Sequence, residues 1–258
     1  MQADTDAAWE VQAKFPDLGT GATHVWMVDL EASQAWLDRL NPVLSDEERV
    51  RAARFHFLRD RTHFTLTRGL LRVLLAGYLQ RPAFDLVLRI GAHGKPFLDS
   101  VGTGGSESAL HFNVSHSGGR ALLAFCREGE VGVDVERIRD SLEGERLAER
   151  FFSPREVAEL QALPPEQVEA AFFRCWTRKE AYVKARGIGL SLGLDTFAVS
   201  FRPGDPARLV WSGEGDQELH RWRLWDLPAP PRYFAALACP SQATSLRLFR
   251  PSLEALLS

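Results

Sequence analysis

The first half of the chain carries apolar residues at helical spacing in two segments. Ser45, followed three residues later by Glu48, fits a capping box and predicts a helix that runs toward Arg59. A second apolar pattern reaches Tyr78 and predicts another helix, which ends before Pro82. Short runs of strand-forming residues surround these helices, at residues 24–30, 86–90, 110–114, 121–125 and 131–135.

The second half has a similar order of helices and strands. Residues 153–156 (SPRE) place a capping serine, a proline at the first helical position and a glutamate at the third. A long helix is predicted from about residue 166 to residue 185, and Gly187 fits a left-handed cap at its end. Strands are predicted at residues 196–201, 220–225, 233–238 and 245–249.

Both halves therefore combine helices with a set of strands. This pattern favours an α+β fold, with mixed α/β content, formed by pseudo-twofold duplication of a unit of helices and a small antiparallel sheet. A polar break near residues 127–130 predicts a division into an N-terminal half, residues 1–128, and a C-terminal half, residues 129–258. Residues 102–108 are predicted to form a loop of small residues.

Composition and charge narrow the class of protein. With 45% hydrophobic and 25% charged residues, the 258-residue chain is expected to fold around a packed core. Its net charge of -3 gives no overall attraction to nucleic acid. One stretch is nevertheless rich in arginine and predicts a local anion site, with Arg49, Arg51, Arg54, Arg59, Arg61, Arg68 and Arg72.

Targeting signals and cysteine usage point to the cytoplasm. No apolar run approaches the roughly 20 residues that span a bilayer, and the N-terminus lacks the basic and then apolar order of a signal peptide. Three widely spaced cysteines, Cys126, Cys175 and Cys239, form neither a disulfide framework nor a metal motif. We expect a soluble protein in a reducing compartment.

Two carboxylates share one face of a predicted strand at residues 132–136 (GVDVE). Because side chains alternate along a strand, Asp134 and Glu136 point the same way while Val133 and Val135 point into the core. A hard divalent ion such as magnesium would relieve the repulsion between the two carboxylates. The alternative is an edge strand with a solvated acidic face.

A second constellation lies on the long helix of the second half. Trp176, Glu180 and Lys184 are four residues apart and therefore lie on one helix face. An ordinary exposed pair explains Glu180 and Lys184 equally well, but the tryptophan on the same face indicates a partly buried stripe.

Two turns could present groups to an anion. Residues 111–119 (HFNVSHSGG) end a strand with Ser115 and His116, followed by two glycines that permit close approach of a ligand. Residues 94–96 (GKP) form a rigid turn that holds Lys95. A solvated lysine on a loop is the usual alternative for the second turn.

Taken together and in this order, the motifs resemble those of the 4′-phosphopantetheinyl transferases, specifically the surfactin-synthetase-activating type with two similar halves. The matching stretches are GKP at 94–96, FNVSHS at 112–117, GVDVE at 132–136, FFS at 151–153 with Glu156, WTRKEAYVK at 176–184 and GIGLSL at 187–192. The resemblance spans roughly residues 45 to 201 and implies a monomer with one active site in the cleft between the halves.

The resemblance also implies the chemistry of that site. Asp134, Glu136 and Glu180 are expected to hold Mg²⁺ together with the pyrophosphate of coenzyme A. Lys184 is expected to contact the phosphate and to protonate the departing nucleotide, and Glu180 or a metal-bound water is the candidate base. Val135 is a departure, because some relatives carry a polar residue between the two carboxylates.

The nucleotide contacts follow from the same resemblance. Lys95, Ser115 and His116 are expected to hold the 3′-phosphate of coenzyme A, and Arg51 and Arg54 are expected to add phosphate contacts. The partners implied are coenzyme A and the serine of an apo acyl or peptidyl carrier protein, without nucleic acid or membrane. A non-catalytic module that binds carrier proteins or nucleotides is the alternative from a different class.

Overall fold

The computed structural model describes residues 8–31, 34–99, 110–138 and 144–256. The helices in these ranges are α1 (Gln34–Leu40), α2 (Asp46–Ala53), α3 (Leu58–Leu79), α4 (Gly144–Phe151), α5 (Pro154–Gln161), α6 (Pro165–Arg186), α7 (Gln217–Arg221) and α8 (Leu253–Leu256). The strands are β1 (Glu10–Gln12), β2 (Ala22–Asp29), β3 (Leu88–Ile90), β4 (Pro96–Leu98), β5 (His111–Ser117), β6 (Arg120–Cys126), β7 (Gly132–Arg137), β8 (Phe197–Val199), β9 (Leu209–Ser212), β10 (Trp222–Asp226), β11 (Tyr233–Pro240) and β12 (Ser245–Pro251). The mixed α/β character expected from the sequence is confirmed.

The larger sheet has the strand order β1-β12-β2-β6-β5. Strands β2, β6 and β5 are antiparallel neighbours, whereas β12 runs parallel to both β1 and β2. The expectation of a purely antiparallel sheet is therefore wrong for this half. The reason is that β12, which comes from the C-terminal end of the chain, enters the sheet between two N-terminal strands and crosses the predicted boundary at residue 128.

The smaller sheet has the order β10-β11-β7 and is antiparallel throughout. Three strands of the larger sheet, in the order β2-β6-β5, have the same connectivity as the smaller sheet, in the order β7-β11-β10. In each set the strand that comes first in the sequence pairs with the strand that comes last. Two hairpins, β3-β4 and β8-β9, complete the strand pairing of the described residues.

Three apolar clusters hold these layers together. Helix α3 packs Leu66 and Leu70 against the larger sheet, and α6 packs Phe173 and Ala181 against the smaller one. The third cluster lies between the two sheets and joins Val25, Met27, Leu122 and Ala124 to Val133, Val135, Leu237 and Cys239. Because strand side chains alternate, this packing of Val133 and Val135 directs Asp134 and Glu136 to the opposite face of β7.

The two long helices are confirmed, and each spans 22 residues. Gly187 ends α6 in the left-handed region with φ 68°, as predicted. The expected helix from Ser45 toward Arg59 is wrong in length, because α2 stops at Ala53 and Phe57 is extended before α3 begins. In this break Phe55 turns its ring onto Phe64 of α3, with 5.5 Å between the ring centroids.

The remaining strand predictions are confirmed with shifted ends. The predicted strand at residues 220–225 begins two residues late, because α7 includes His220 and Arg221. The predicted loop at residues 102–108 lies outside the described residues. Within the described ranges, no helix combines the length and the apolar character needed to cross a lipid bilayer.

Candidate active site

A ladder of polar side chains joins β5 to β7, although these strands belong to different sheets. The side chains of Asn113, Ser115 and Ser117 share one face of β5. Their oxygens accept hydrogen bonds from main-chain N–H groups of β7, those of Val133 (2.9 Å), Val135 (3.3 Å) and Arg137 (3.2 Å), respectively. The hydroxyl of Ser115 donates to Oδ1 of Asp134 at 2.9 Å, and that of Ser117 donates to Oε2 of Glu136 at 2.8 Å. The ladder fixes both carboxylates on the same face of β7.

Helix α6 brings a lysine and a third carboxylate to this face. The ammonium of Lys184 donates to Ser115 Oγ at 2.9 Å and to Asp134 Oδ1 at 2.6 Å. Glu180 lies one helical turn before Lys184. Burial raises the pKa of Glu180, and the charges of Asp134 and Glu136 raise it further, while Lys184 opposes the shift.

The chemistry of these donors suits a hard cation. Asp134 is only 2% exposed, and its second oxygen, Oδ2, is buried without a hydrogen-bond partner among the described residues. An orphaned carboxylate oxygen beside two further carboxylates is a donor set of the kind that Mg²⁺ prefers. The side chains as placed do not converge, since no group of three His, Cys, Asp or Glu in the described ranges is arranged around a metal position. Lys184 supplies the positive charge at Asp134 instead.

A cleft of about 1110 Å³ adjoins this group. Its walls come from α2, one face of α3 and the ends of β5 and β7. The lining residues are Glu31, Arg51, Phe55, Arg59, Asp60, His63, Phe64, Thr67, Arg68, Leu71, Pro96, Val114, His116, Ser117, Gly118, Gly119, Glu136, Arg137, Ile138 and Arg232. Cationic side chains prevail along the walls, so the cleft favours an anionic ligand.

The strongest concentration of positive charge lies on α2 and α3. The guanidinium groups of Arg51 and Arg68 lie 5.3 and 5.8 Å from the ring centroid of Phe64. Arg68 and Arg72 both pair with Glu48. Burial lowers the pKa of Arg68, as do the nearby charges of Arg51 and Arg72, while Glu48 opposes the shift. Two guanidinium groups share the carboxylate of Glu48, and Arg51 adds a third positive charge close to Arg68, which leaves an excess of positive charge that an anion would balance.

Two buried polar atoms also face this region without a partner. Thr67 is 8% exposed and its hydroxyl has no hydrogen-bond partner among the described residues, and the same holds for the buried Nε2 of His63. His63 Nε2 is 3.7 Å from Glu31 Oε1, which is beyond hydrogen-bond distance. Burial lowers the pKa of His116, and the charges of His63 and Lys184 lower it further, while Asp60 opposes the shift.

The structure thus brings together some of the residues predicted from the sequence and separates others. Ser115, Asp134, Glu180 and Lys184 form one cluster, with Glu136 on the same strand face, and Arg51 and His116 line the adjoining cleft. Arg54 is exposed at the end of α2 and does not line the cleft. The ammonium of Lys95 is bound to Glu130 and to two main-chain carbonyls, outside the cleft.

Sequence reasoning missed several cleft residues. Arg59 and Arg68 belong to the arginine-rich stretch, which was predicted to contain an anion site. The sequence did not show that these two arginines, and not Arg54 and Arg61, would line the cleft. Thr67 on the same helix carried no signal at all. The remaining cationic members, Arg137 and Arg232, come from the end of β7 and from the turn before β11, where no motif marked them.

Three carboxylates and a lysine beside a guanidinium-rich cleft have the charge pattern that phosphoryl transfer requires. Comparison with protein families agrees with this class. Residues 31–128 match the N-terminal model described as 4′-phosphopantetheinyl transferase, N-terminal, and residues 130–238 match the model of the 4′-phosphopantetheinyl transferase superfamily. The chain belongs to this family of transferases, as the sequence motifs predicted.

Individual relatives support the assignment over most of the chain. The 4′-phosphopantetheinyl transferase HetI of Nostoc sp. is 39% identical over 215 residues, covering 83% of this chain and 86% of the relative. The transferase Sfp of Bacillus subtilis is 32% identical, covering 67% of this chain and 73% of the relative. AcpT of Salmonella typhimurium is 47% identical over a shorter region, 45% of this chain and 56% of the relative. The alternative of a non-catalytic binding module is therefore set aside.

Proposed function

We propose that this transferase moves the 4′-phosphopantetheine group of coenzyme A onto a serine of an apo acyl or peptidyl carrier protein, with Mg²⁺ bound, and releases adenosine 3′,5′-bisphosphate. The observation that supports this proposal is the contact of Asp134 with Lys184 and Ser115. Oδ2 of Asp134 has no hydrogen-bond partner among the described residues, and the charge of Asp134 acts on the nearby Glu180. These groups adjoin the cleft that is rich in guanidinium groups.

The reaction forms one bond and breaks one. The serine oxygen of the carrier attacks the β-phosphorus of coenzyme A, and the bond from this phosphorus to the bridging oxygen breaks. The electron pair leaves with adenosine 3′,5′-bisphosphate. Mg²⁺ held by Asp134, Glu136 and Glu180 would neutralise charge on the pyrophosphate.

The chain's own residues supply the proton transfers. Glu180, one helical turn before Lys184 and close to Asp134, is the carboxylate that accepts the proton of the attacking serine. Lys184 reaches this site with its ammonium and stabilises the negative charge that develops on the leaving phosphate.

The nucleotide end of coenzyme A is assigned to the cleft. Arg51 and Arg68 provide the charge that a 3′-phosphate requires, and Thr67 Oγ1 offers a donor that has no partner among the described residues. His116 lies at the other side of the cleft, near the end of β5, and Ser115 precedes it on the face of β5 that turns toward β7. Because the hydroxyl of Ser115 already bonds to Asp134, its expected phosphate contact would require that bond to change.

A single assay tests the reaction. The protein is incubated with coenzyme A, Mg²⁺ and a panel of apo acyl and peptidyl carrier proteins, and mass spectrometry of the carriers follows. We expect one phosphopantetheinyl group on at least one carrier, absent from a carrier whose acceptor serine is replaced by alanine and suppressed when EDTA replaces Mg²⁺. Unmodified carriers throughout would refute the assignment of substrate.

We further propose that the halves 1–128 and 129–258 are pseudo-twofold copies with the cleft between them. Two ion pairs support this. Glu48 in the capping box of α2 pairs with Arg72 of α3, and Arg72 donates to the carbonyls of Ala83 and Leu86. In the second half, Glu156 in the capping box of α5 pairs with Lys179, which donates to the carbonyls of Leu194 and Phe197. Arg72 and Lys179 are both the fifteenth residue of a 22-residue helix.

A monomeric state and a cytoplasmic location complete the proposal. The monomeric state rests on the cleft that residues of both halves line, and the cytoplasmic location rests on the free, buried state of Cys126, Cys175 and Cys239.

A further inference from the structure

Lys95 occupies the turn of the β3-β4 hairpin in the first half of the chain. The hairpin is closed by the N–H of Gly91, which donates to the carbonyl of Lys95 at 2.9 Å, and Gly94 precedes the lysine with φ 82°. The lysine side chain is 17% exposed, does not line the cleft, and contacts residues 130, 131 and 184 of the second half. The hairpin turn therefore fixes the backbone of Lys95 independently of the contacts that its ammonium makes.

All three donors of the Lys95 ammonium are engaged. The ammonium donates to the main-chain carbonyl of Lys184 at 3.0 Å, to that of Val131 at 3.2 Å, and to the carboxylate of Glu130. An ammonium group has three N–H donors, so no donor is left for a phosphate. Glu130 also bonds to His111, and both partners lower its pKa, to about 2, so this counter-charge persists at neutral pH.

The two carbonyls belong to the elements that carry the proposed metal and phosphate groups. Lys184 lies in the last turn of α6, where carbonyl groups lack intrahelical partners. Val131 directly precedes β7, which carries Asp134. The two elements touch at this end, because a Cβ built at Gly132 would lie 2.1 Å from the carbonyl oxygen of Ala181.

We infer that Lys95 is a positioning residue that clamps the end of α6 to the start of β7, rather than a ligand of the coenzyme A phosphate. The clamp acts through the main chain of Lys184, whose side chain holds Asp134 from the same residue. The clamp keeps Lys184 and Asp134 in register, and the purpose of this arrangement rests on the proposed function. The clamp itself does not depend on that function.

Hydrogen exchange tests the clamp without any assay of transfer. In Lys95→Met, the amides at the end of α6 and the start of β7, including that of Gly187, should exchange at least about tenfold faster, while amides in the middle of α3 stay unchanged. The matched control is Lys14→Met, which removes an exposed lysine and should leave both regions as they are. Unchanged exchange at the end of α6 would overturn the inference.

Ligand discrimination gives the second measurement. The ratio of the Kd values for coenzyme A and dephospho-coenzyme A should be the same in Lys95→Met and in the wild type. A ratio that falls toward one in the variant would identify Lys95 as a phosphate ligand and overturn the inference. If the wild-type protein binds neither ligand, the proposed function fails while the exchange result still decides on the clamp.

A second variant keeps the test decisive if Lys95→Met does not fold. Glu130→Ala removes the carboxylate but leaves both carbonyl contacts of Lys95. A clamp predicts somewhat faster exchange at the end of α6 and no gain in affinity for coenzyme A. If Lys95 were instead a phosphate ligand, removal of Glu130 would free its ammonium to bind coenzyme A. Tighter binding of coenzyme A by this variant would therefore overturn the inference.

Discussion

The ammonium nitrogen of Lys184 lies 2.6 Å from Oδ1 of Asp134, although the two residues are 50 positions apart in the chain. The contact joins α6 to β7 and neutralises one side of a carboxylate that is 2% exposed. The other side, Oδ2, has no hydrogen-bond partner among the described residues. One oxygen of this carboxylate is thus paired with a lysine, and the other is the oxygen that we propose as a ligand of Mg²⁺.

Removal of this carboxylate should abolish transfer. Asp134→Ala takes away a proposed metal ligand and the partner of Lys184, and we expect the rate to fall by at least about 100-fold at saturating Mg²⁺. Lys184 keeps 27% of its side chain exposed and can regain water, so circular dichroism should report a folded protein. Asp46→Ala, which removes a carboxylate that is 94% exposed, is the control. Near-normal turnover in Asp134→Ala would exclude this residue from the site.

Two arginines three positions apart on α2 should differ in their effect on coenzyme A. Arg51 lines the cleft, whereas Arg54 is exposed outside it. Because a charge-assisted bond to phosphate contributes about 1.5–3 kcal/mol, Arg51→Ala should weaken binding roughly 10- to 100-fold. Arg54→Ala should leave Kd unchanged, contrary to the prediction from sequence. Calorimetry measures both, and an equal loss in the two variants would contradict this assignment.

Local patterns made most of the fold predictable. The capping boxes at Ser45 and Ser153 and the long apolar stripes located α2, α3, α5 and α6, because these signals act over a few residues. The place of β12 was beyond such reasoning. Its parallel pairing with β2 joins residues more than 200 positions apart, and no local signal specifies a long-range partner.

The parts of the candidate site that follow from a local motif were predictable from the sequence. The parts that depend on how separate elements pack together were not. Strand alternation placed Asp134 and Glu136 on one face, and helical spacing placed Glu180 with Lys184. The direction of the Lys95 side chain depends on how the β3-β4 hairpin packs against α6, which no spacing encodes. In the same way, the break after α2 decides which arginines turn toward the cleft.

The buried pair of Lys179 and Glu156 should be the costliest ion pair to break. Their side chains are 0% and 1% exposed, so Lys179→Met leaves a buried carboxylate without its cation and should lower the free energy of unfolding by about 3–5 kcal/mol. Arg155→Met breaks an exposed pair with Glu159 and should cost less than about 0.5 kcal/mol. Urea unfolding measures both. Equal losses of unfolding free energy in the two variants would mean that the buried pair of Lys179 and Glu156 contributes no more to stability than an exposed pair.

Stability should fall in mildly acidic solution because of one histidine. Burial, with the charge of Arg247, lowers the pKa of His24 from 6.5 to about 4. Between these values the unfolded chain binds a proton that the folded chain does not. The free energy of unfolding should therefore decrease as the pH falls from 6.5 to 4, by up to about 3 kcal/mol from this group.

A variant isolates the contribution of this histidine. His24→Asn keeps an acceptor near the hydroxyl of Tyr78, which lies 2.9 Å from Nδ1 of His24, but it does not titrate. Urea unfolding at pH 7 and pH 4.5 should show a smaller loss in the variant than in the wild type. Identical losses would assign the acid sensitivity to other groups, such as paired carboxylates.

A methyl group at Gly132 should disturb both stability and activity. A Cβ at this position would lie 2.1 Å from the carbonyl oxygen of Ala181 and 2.3 Å from the main-chain nitrogen of Ala185, and main-chain atoms cannot rotate away. β7 and α6 must therefore separate in Gly132→Ala, which should lower the free energy of unfolding by about 1–3 kcal/mol. The same displacement moves Asp134, two residues along β7, away from Lys184.

The comparison with Gly19→Ala separates this close contact from the loss of a glycine as such. No atom lies within 4 Å of a Cβ built at Gly19, so the control should change neither urea unfolding nor transfer. In Gly132→Ala we expect a drop in kcat of at least about tenfold at a temperature where the variant is fully folded, because charge stabilisation depends on placement within a fraction of an ångström. A destabilised variant with an unchanged kcat would show that the spacing of β7 and α6 does not set the geometry of the Asp134–Lys184 contact.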